Sequence, residues 1–400
     1  MIVIGFRKNL LYPLMLIFFT TIRKADSILM VKLIDYEGYL FLTIIMFLSE
    51  FISGLIIYIY HLNFLSKKRN NSFMGLRLIQ APSELASPDK KTKIYLLIFM
   101  SSFFDFNVFL LETYYLPLYN YYISQSFNIR LRSILTLCSA LLCYCLLKIP
   151  IYKHQIFTLI IIFTCLIIII ASDFYFQENY FLTNLAIIFN FVSYFFNSCL
   201  DVTEKYLLEY DYLNPFKVIM LEGIIGLILS SSFSFIAHVN PFKELKNIFK
   251  DIEKKTKVFE TIVELIIYLA IYFIASGGRN IYRIITNKLY SPMTRTLTDC
   301  IIDPLLIIYY FFVEKDFQKN KNEGQNIYFF IINLVASFCI VFCSCVYNEL
   351  FVLFCCKLEH NTHYEITRRA TLLENRSNLS DDSQNQSEKS DDEENHDEKS

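Results

Sequence analysis

Residues 156–170 read IFTLIIIFTCLIIII, an apolar run without a single charged residue. With its flanks, the run approaches the ~20 apolar residues that a helix needs to cross the hydrocarbon core of a bilayer. A second, largely apolar run extends from Ile327 to Phe354. Neither run alternates apolar with polar residues, so the pattern predicts membrane-spanning helices and excludes a transmembrane barrel.

Composition extends this interpretation to the whole chain. Of the 400 residues, 54% are hydrophobic and only 9 are Gly, and the mean hydropathy is +0.40. A water-soluble globule of this size would be far more polar. The formal net charge of −1 conceals an acidic end: residues 374–400 hold ten acidic and three basic residues, which leaves +6 on the rest of the chain. Such a positive body suits anionic membrane leaflets, and nothing indicates nucleic acid as a partner.

Ten spans of roughly 18 to 25 residues can be drawn, which predicts an all-α, polytopic membrane protein. They cover approximately residues 9–29, 39–62, 94–116, 126–147, 154–173, 180–207, 219–238, 260–285, 294–313 and 327–355. Basic residues are concentrated in the connection from Lys67 to Lys93, whereas the loops at 116–125 and 174–180 have none. Positive loops mark the cytosolic side, so both termini are predicted to be cytosolic.

The chain also divides into two comparable halves. Ser126-Phe-Asn-Ile-Arg130 opens the fourth span and Ser291-Pro-Met-Thr-Arg295 opens the ninth, five spans later. Because five is odd, the second copy would be inserted upside down, as in transporters with inverted repeats. We therefore expect a first repeat at 1–173, which includes a cytosolic loop at 63–93, and a second repeat at 174–357. Residues 358–400 are predicted to form a disordered, acidic cytosolic tail.

Charged residues inside spans are costly in a bilayer and commonly face a cavity or a partner. Five such residues in the predicted spans are selected as functional candidates: Glu50, Asp105, Arg279, Asp299 and Asp303. Each could instead belong to a structural ion pair or lie near the true end of a helix. We expect Asp105 to pair with Arg279, Arg132 and Arg295 to attract an anionic group, and Glu50 to carry a proton or a counter-charge. These residues and Asp299 are the candidate lining of a substrate cavity.

Enzyme signatures are missing from the sequence. There is no HExxH motif, Gly-rich phosphate loop, GxSxG or Walker pattern. The 11 cysteines lie mostly in apolar runs and show no paired zinc spacing. The sequence thus predicts neither an enzyme nor a bound metal or cofactor.

Several short motifs carry a resemblance to a known family. They are Met46-Phe-Leu-Ser-Glu50-Phe51, Ser126-Phe with Arg132-Ser133, Glu204-Lys205-Tyr206, Asn214-Pro215-Phe, Leu221-Glu222-Gly223-Ile-Ile-Gly226, and Thr294-Arg295 with Asp299. Over roughly residues 10 to 356 the chain resembles the solute carrier 35 family of the drug/metabolite transporter superfamily, with EamA-like repeats. Within that family it is most similar to the F subfamily, around its sixth member.

The resemblance implies a fold of two inverted five-helix repeats around a central cavity, with alternating access. It marks Glu204, Lys205, Glu222 and Gly223 as motif residues, and it implies an endomembrane such as the Golgi, lysosome or vacuole. The function expected is secondary transport or exchange of a small polar solute, anionic or nucleotide-like. The alternative is a non-transporting membrane scaffold or regulator that recruits partners through its acidic tail; a membrane-embedded transferase is a third reading. The expected partners are a small-molecule solute and the lipid bilayer, with homo-oligomerisation left open.

Overall fold

The computed structural model describes residues 2–4, 11–34, 39–67, 88–111, 127–176, 180–236, 258–312 and 323–353, and five single positions between 362 and 372. The predicted tail from residue 375 and the connection at 239–257 lie outside these residues. Contacts divide the chain into two compact units. The smaller comprises residues 1–7, 151–158 and 345–400, and the larger comprises 8–150 and 159–344.

The described residues form twelve helices and one short pair of strands. The helices are α1 (Leu11–Ile34), α2 (Tyr39–Lys67), α3 (Pro88–Phe109), α4 (Phe127–Arg130), α5 (Ser133–Leu147), α6 (Lys153–Phe176), α7 (Tyr180–Glu209), α8 (Pro215–Ile236), α9 (Val258–Leu289), α10 (Pro292–Cys300), α11 (Asp303–Phe312) and α12 (Glu323–Tyr347). The strands are β1 (Ile2–Ile4) and β2 (Phe351–Leu353). A helical fold was predicted, but the strand pair was not.

Seven helices, α2, α3, α6, α7, α8, α9 and α12, are long and apolar enough to cross a membrane. The distribution of side chains between the interior and the surface is the reverse of that in a soluble protein. Large apolar side chains such as Ile56, Ile160 and Phe235 are exposed, while many polar and charged side chains are buried between helices. Lipid is the solvent that suits such an exterior. The protein is therefore an α-helical membrane protein, as the composition predicted.

Glycines let four helices of the larger unit, α1, α2, α8 and α9, approach closely. A Cβ atom at Gly223 of α8 would lie 2.5 Å from the backbone nitrogen of Phe51 in α2. At Gly277 of α9 it would lie 2.8 Å from Oγ of Ser49, and at Gly278 it would meet the ring of Phe19 in α1 at 2.6 Å. Small residues at such interfaces allow tight helix packing in membranes. The Gly277-Gly278 pair thus serves contacts between helices.

Two of the ten predicted spans are interrupted. Residues 126–147 contain α4 and α5, separated at Leu131 and Arg132, and residues 294–313 contain α10 and α11, separated at Ile301 and Ile302. Pro304 explains the second interruption, because it has no N–H group to bond the carbonyl of Cys300. The two interruptions bring together Arg132 and Asp303, which form an ion pair.

The smaller unit pairs the beginning of the chain with the segment after α12. Strands β1 and β2 are antiparallel, with Val3 opposite Val352. The last predicted span was drawn to residue 355, which is wrong by eight residues, because α12 ends at Tyr347. Glu349 has a positive φ of 58°, and the Leu350 amide bonds the Cys345 carbonyl at 2.9 Å. This geometry closes a helix end and turns the chain into β2.

Candidate functional site

Four carboxylates surround one guanidinium in the larger unit. Arg283 of α9 lies 2.7 Å from Glu204 of α7, 3.4 Å from Glu50 of α2, 3.5 Å from Asp105 of α3 and 3.6 Å from Glu222 of α8, measured between nitrogen and oxygen. We call these five residues the Arg283 cluster. None of their side chains is more than 3% exposed. Five helices thus meet at a single buried ion group.

Neutral side chains complete the cluster. The hydroxyl of Ser101 donates to the carboxylate of Glu222. The amide of Asn287, one turn after Arg283 on α9, donates to Glu204 at 2.6 Å and to Asp201 at 3.3 Å. These bonds orient two of the carboxylates, and buried polar groups require such partners. They bring no additional positive charge.

A cavity of about 50 Å³ shares Asp105 with the Arg283 cluster. Its charged lining consists of four basic and two acidic residues: Arg23, Lys24, Arg132, Arg279, Asp105 and Asp299. Tyr194 and Asn197 of α7 also face it. We call it the basic cavity. Six helical segments contribute to its walls, and its lining carries a formal net charge of +2.

Several nitrogen atoms of the basic cavity are unsatisfied. Nη1 of Arg23, Nζ of Lys24 and Nε of Arg279 are buried and make no hydrogen bond with the part of the chain that the structure describes. The guanidinium of Arg23 lies over the ring of Phe109 at 5.5 Å. Arg279 donates from Nη1 to the side chain of its neighbour Asn280 at 3.2 Å. Buried cationic donors without acceptors are costly, and an anion supplies the acceptors they lack.

A second ion network adjoins the cavity. Arg295 of α10 is 1% exposed, binds Asp201, and donates to Asn197 at 3.0 Å. It also lies 3.7 Å from Asp299, one turn further along the same helix. The Ser291 hydroxyl caps this helix by accepting from the Thr294 amide. Arg295 therefore fixes α10 to α7 beside the cavity wall.

The structure locates every candidate site residue that the sequence indicated. Arg132, Arg279, Asp105 and Asp299 line the basic cavity. Glu50 lies in the Arg283 cluster, and Arg295 contacts two residues of the cavity wall.

The prediction that Asp105 forms an ion pair with Arg279 is wrong, because it names the wrong arginine. Asp105 pairs with Arg283 at 3.5 Å. Arg283 follows Arg279 by one helical turn, so both lie on one face of α9. Arg279 and Asp105 remain close enough to line the same cavity. The apolar span identified the helix, but it could not decide between two arginines that lie one turn apart.

The four motif residues lie in different environments of the structure; they are Glu204, Lys205, Glu222 and Gly223. Glu204 and Glu222 belong to the Arg283 cluster. Lys205 donates to the carbonyls of Lys288 at 3.3 Å and Tyr290 at 2.8 Å, where it closes the end of α9. Gly223 lies at the contact between α2 and α8. Two of these residues therefore belong to the polar interior, and two are packing or capping residues.

Several residues of the site were not predicted from the sequence. The candidate site residues did not include Arg283, Asp201, Asn287, Arg23 or Lys24. A signal was present, since Arg283 is also a charge inside a predicted span. Asp201 lies three residues before Glu204, so both could have been placed on one helical face.

Comparison with known proteins gives no further assignment. No protein-family model matches the chain, and no curated protein matches it. Within the described part of the chain, no group of three or more His, Cys, Asp or Glu side chains could hold a metal ion. The candidate site thus consists of the Arg283 cluster and the basic cavity.

Proposed function

We propose that this protein is a secondary transporter or exchanger that moves a small anionic solute by alternating access. The observation that carries the proposal is the basic cavity, where buried cationic nitrogens of Arg23, Lys24 and Arg279 have no described acceptor. We also propose that the chain has the ten-helix inverted repeat of the solute carrier 35-like drug/metabolite transporters. The motifs at residues 46–51, 204–206 and 221–226 support this assignment.

The size of the cavity restricts what it can hold in this conformation. A buried water needs about 10–15 Å³, so about 50 Å³ accommodates three to five waters or one small tetrahedral anion. Pockets for complete organic ligands are commonly about 300–1,000 Å³. The charged end of a larger solute, such as a phosphate group, fits, whereas a complete nucleotide requires the helices to separate.

The strand pair supports an even number of membrane crossings. We infer from the bonding of β1 to β2 that the start of α1 and the end of α12 lie on the same side of a membrane. Seven crossings would place them on opposite sides. Adding α1, the α4–α5 segment and the α10–α11 segment to the seven apolar helices makes ten. The interrupted segments are predicted spans four and nine, and discontinuous helices at matching positions are typical of inverted repeats with a midplane site.

Anion binding is tested with purified protein in detergent. The sequence has no Trp, so unfolding is followed with a thiol-reactive dye that reports exposure of buried Cys143, Cys165, Cys300 and Cys343. Sulfate, inorganic phosphate, nucleoside mono- and diphosphates and nucleotide sugars are compared with chloride. A ligand at about 100 times its Kd stabilises the folded state by about 2.7 kcal/mol. We expect at least one multivalent anion to raise Tm.

The matched variants are Lys24→Gln and Lys91→Gln. Lys24 lines the cavity, whereas Lys91 is an exposed lysine of α3. A charge-assisted hydrogen bond is worth about 1.5–3 kcal/mol, so Lys24→Gln should weaken anion binding about 10- to 100-fold while Lys91→Gln leaves it unchanged. Equal affinities in both variants, or no stabilisation of the wild type by any anion of the panel, would refute the proposal.

Flux in proteoliposomes separates a transporter from a scaffold. Radiolabelled sulfate, or another anion that binds, is placed outside vesicles that contain the same unlabelled anion. A transporter exchanges the label, and a chain ending at Glu374 retains this exchange. A scaffold that acts through the acidic tail shows no exchange in either form.

A further inference from the structure

We propose that the Arg283 cluster binds a proton together with the solute anion, so that the protein couples anion movement to protons. This inference rests on the proposed anion transport. The four carboxyl groups around Arg283 cannot all be ionised at the same time. Four carboxylates face one guanidinium within 3.6 Å in a site closed to solvent. Carboxylates that share a buried site do not all ionise, since each added negative charge opposes the next.

The surroundings do not compensate this excess. The charged groups that face Glu50 are Asp105, Glu204, Arg279 and Arg283; those that face Glu222 are Glu50, Glu204 and Arg283. Arg295 also acts on Glu204, but it is bound to Asp201. Ser101 and Asn287 provide hydrogen bonds without charge. At least one proton is therefore needed for the cluster to be stable without solvent.

Glu50 and Glu222 are the positions where that proton fits. Both lie further from Arg283 than Glu204 does, at 3.4 and 3.6 Å against 2.7 Å. Each also has one carboxylate oxygen, Oε2, that makes no hydrogen bond with described residues. A proton taken from water on one side of the membrane would convert one of these groups to the neutral acid. Its release to water on the other side would restore the carboxylate.

Asp105 and Arg279 connect the proton site to the anion site. Asp105 belongs to the Arg283 cluster and also lines the basic cavity, and Arg279 lines that cavity one turn from Arg283. An anion in the cavity adds negative charge near the carboxylates and partly neutralises Arg279. Both effects favour proton binding, and reciprocity requires the proton to favour the anion equally. The anion and the proton therefore favour binding of each other, which is the thermodynamic basis of symport.

The proton site is tested first without any anion. If the folded cluster holds one proton that the unfolded chain releases, stability falls as pH rises, and the unfolding equilibrium constant increases about tenfold per pH unit for that proton. We expect this slope near neutrality, above the ordinary range of free carboxylates. Glu50→Gln or Glu222→Gln, which mimic the protonated acid, should flatten it. Glu264→Gln, at an exposed glutamate of α9, is the matched control.

The coupling is tested with sulfate, which does not titrate in this pH range. In the wild type and in Glu264→Gln, sulfate affinity should rise by up to about tenfold per unit of falling pH. In Glu222→Gln it should be independent of pH. In weakly buffered proteoliposomes with a trapped pH dye, an inward sulfate gradient should acidify the lumen for the wild type. For Glu222→Gln the same gradient should leave the lumenal pH unchanged.

The two proposals fail in different ways. Net sulfate uptake without proton movement, with identical pH slopes in the wild type and both Glu→Gln variants, would overturn the proton site and leave anion transport intact. A pH slope that Glu222→Gln abolishes, without binding of any anion in the panel, would overturn anion transport and the coupling. The pH slope of Glu222→Gln is interpreted only for protein that folds normally, so that a lost slope reflects the missing proton and not misfolding.

Discussion

Arg283 is the residue on which the buried carboxylates depend. It is the guanidinium that Glu50, Asp105, Glu204 and Glu222 all face. Removing one partner of a buried ion group leaves unpaired charge and costs about 3–5 kcal/mol. We expect Arg283→Gln to lower Tm strongly in the thiol-dye assay, and a second change, Glu50→Gln, to restore part of the loss.

Arg279→Gln is the control for that variant. Its guanidinium has one described side-chain hydrogen bond, to Asn280. Its removal should reduce anion binding and affect stability far less than the loss of Arg283. Equal losses of stability from the two arginine variants would contradict the central role of Arg283.

The same pair of arginines shows how far the sequence could predict the site. Charges inside hydrophobic spans are conspicuous, which is why Glu50, Asp105 and Arg279 were selected, although Arg283 was overlooked. Choosing between Arg279 and Arg283 as the partner of Asp105 required the relative depth of α3 and α9. That depth depends on contacts such as Gly277 against Ser49, which are invisible in the hydropathy of either span.

At the scale of elements, the contact between α2 and α8 depends on Gly223. A Cβ atom there would lie 2.5 and 2.8 Å from backbone atoms of Phe51, which cannot rotate away. Overpacking of this kind typically costs about 1–3 kcal/mol. We expect Gly223→Ala to lower Tm, and the tight junction that holds Glu50 and Glu222 near Arg283 to loosen.

Ser231→Thr is a suitable control for Gly223→Ala. It also adds one methyl group to α8, but at an exposed position. Tm should change little. A Gly223→Ala protein as stable as Ser231→Thr would show that α2 can move away from α8 without cost.

The sequence predicted helices better than their interruptions. Long apolar runs located the seven spanning helices because hydrophobicity alone requires them. Pro304 was a readable signal for the separation of α10 from α11. Neither Leu131 nor Arg132 gives such a signal; that interruption coincides with tertiary contacts of Arg132, the ion pair with Asp303 and a 3.2 Å bond to the Asp299 carbonyl.

At the scale of the whole molecule, the strand pair makes a topological prediction. With ten crossings, tags at residues 1 and 400 both face the same side; with seven, they face opposite sides. We expect both tags to be digested together when protease is added to the cytosolic face of sealed vesicles. Digestion of one tag alone would exclude the ten-helix arrangement and the pairing of β1 with β2.

Helix α1 has a consequence for how the protein is made. It carries Arg23, Lys24 and Asp26, and it is absent from the seven helices that composition alone qualifies to cross a membrane. Charges of this kind oppose insertion of an isolated helix into lipid. Its packing partner is α9, where Phe19 meets Gly278 and stacks on Tyr282 at 5.6 Å, and α9 begins about 220 residues later in the chain. Helix α1 therefore leaves the ribosome about 220 residues before its packing partner α9, so we expect it to acquire its native neighbours late in synthesis.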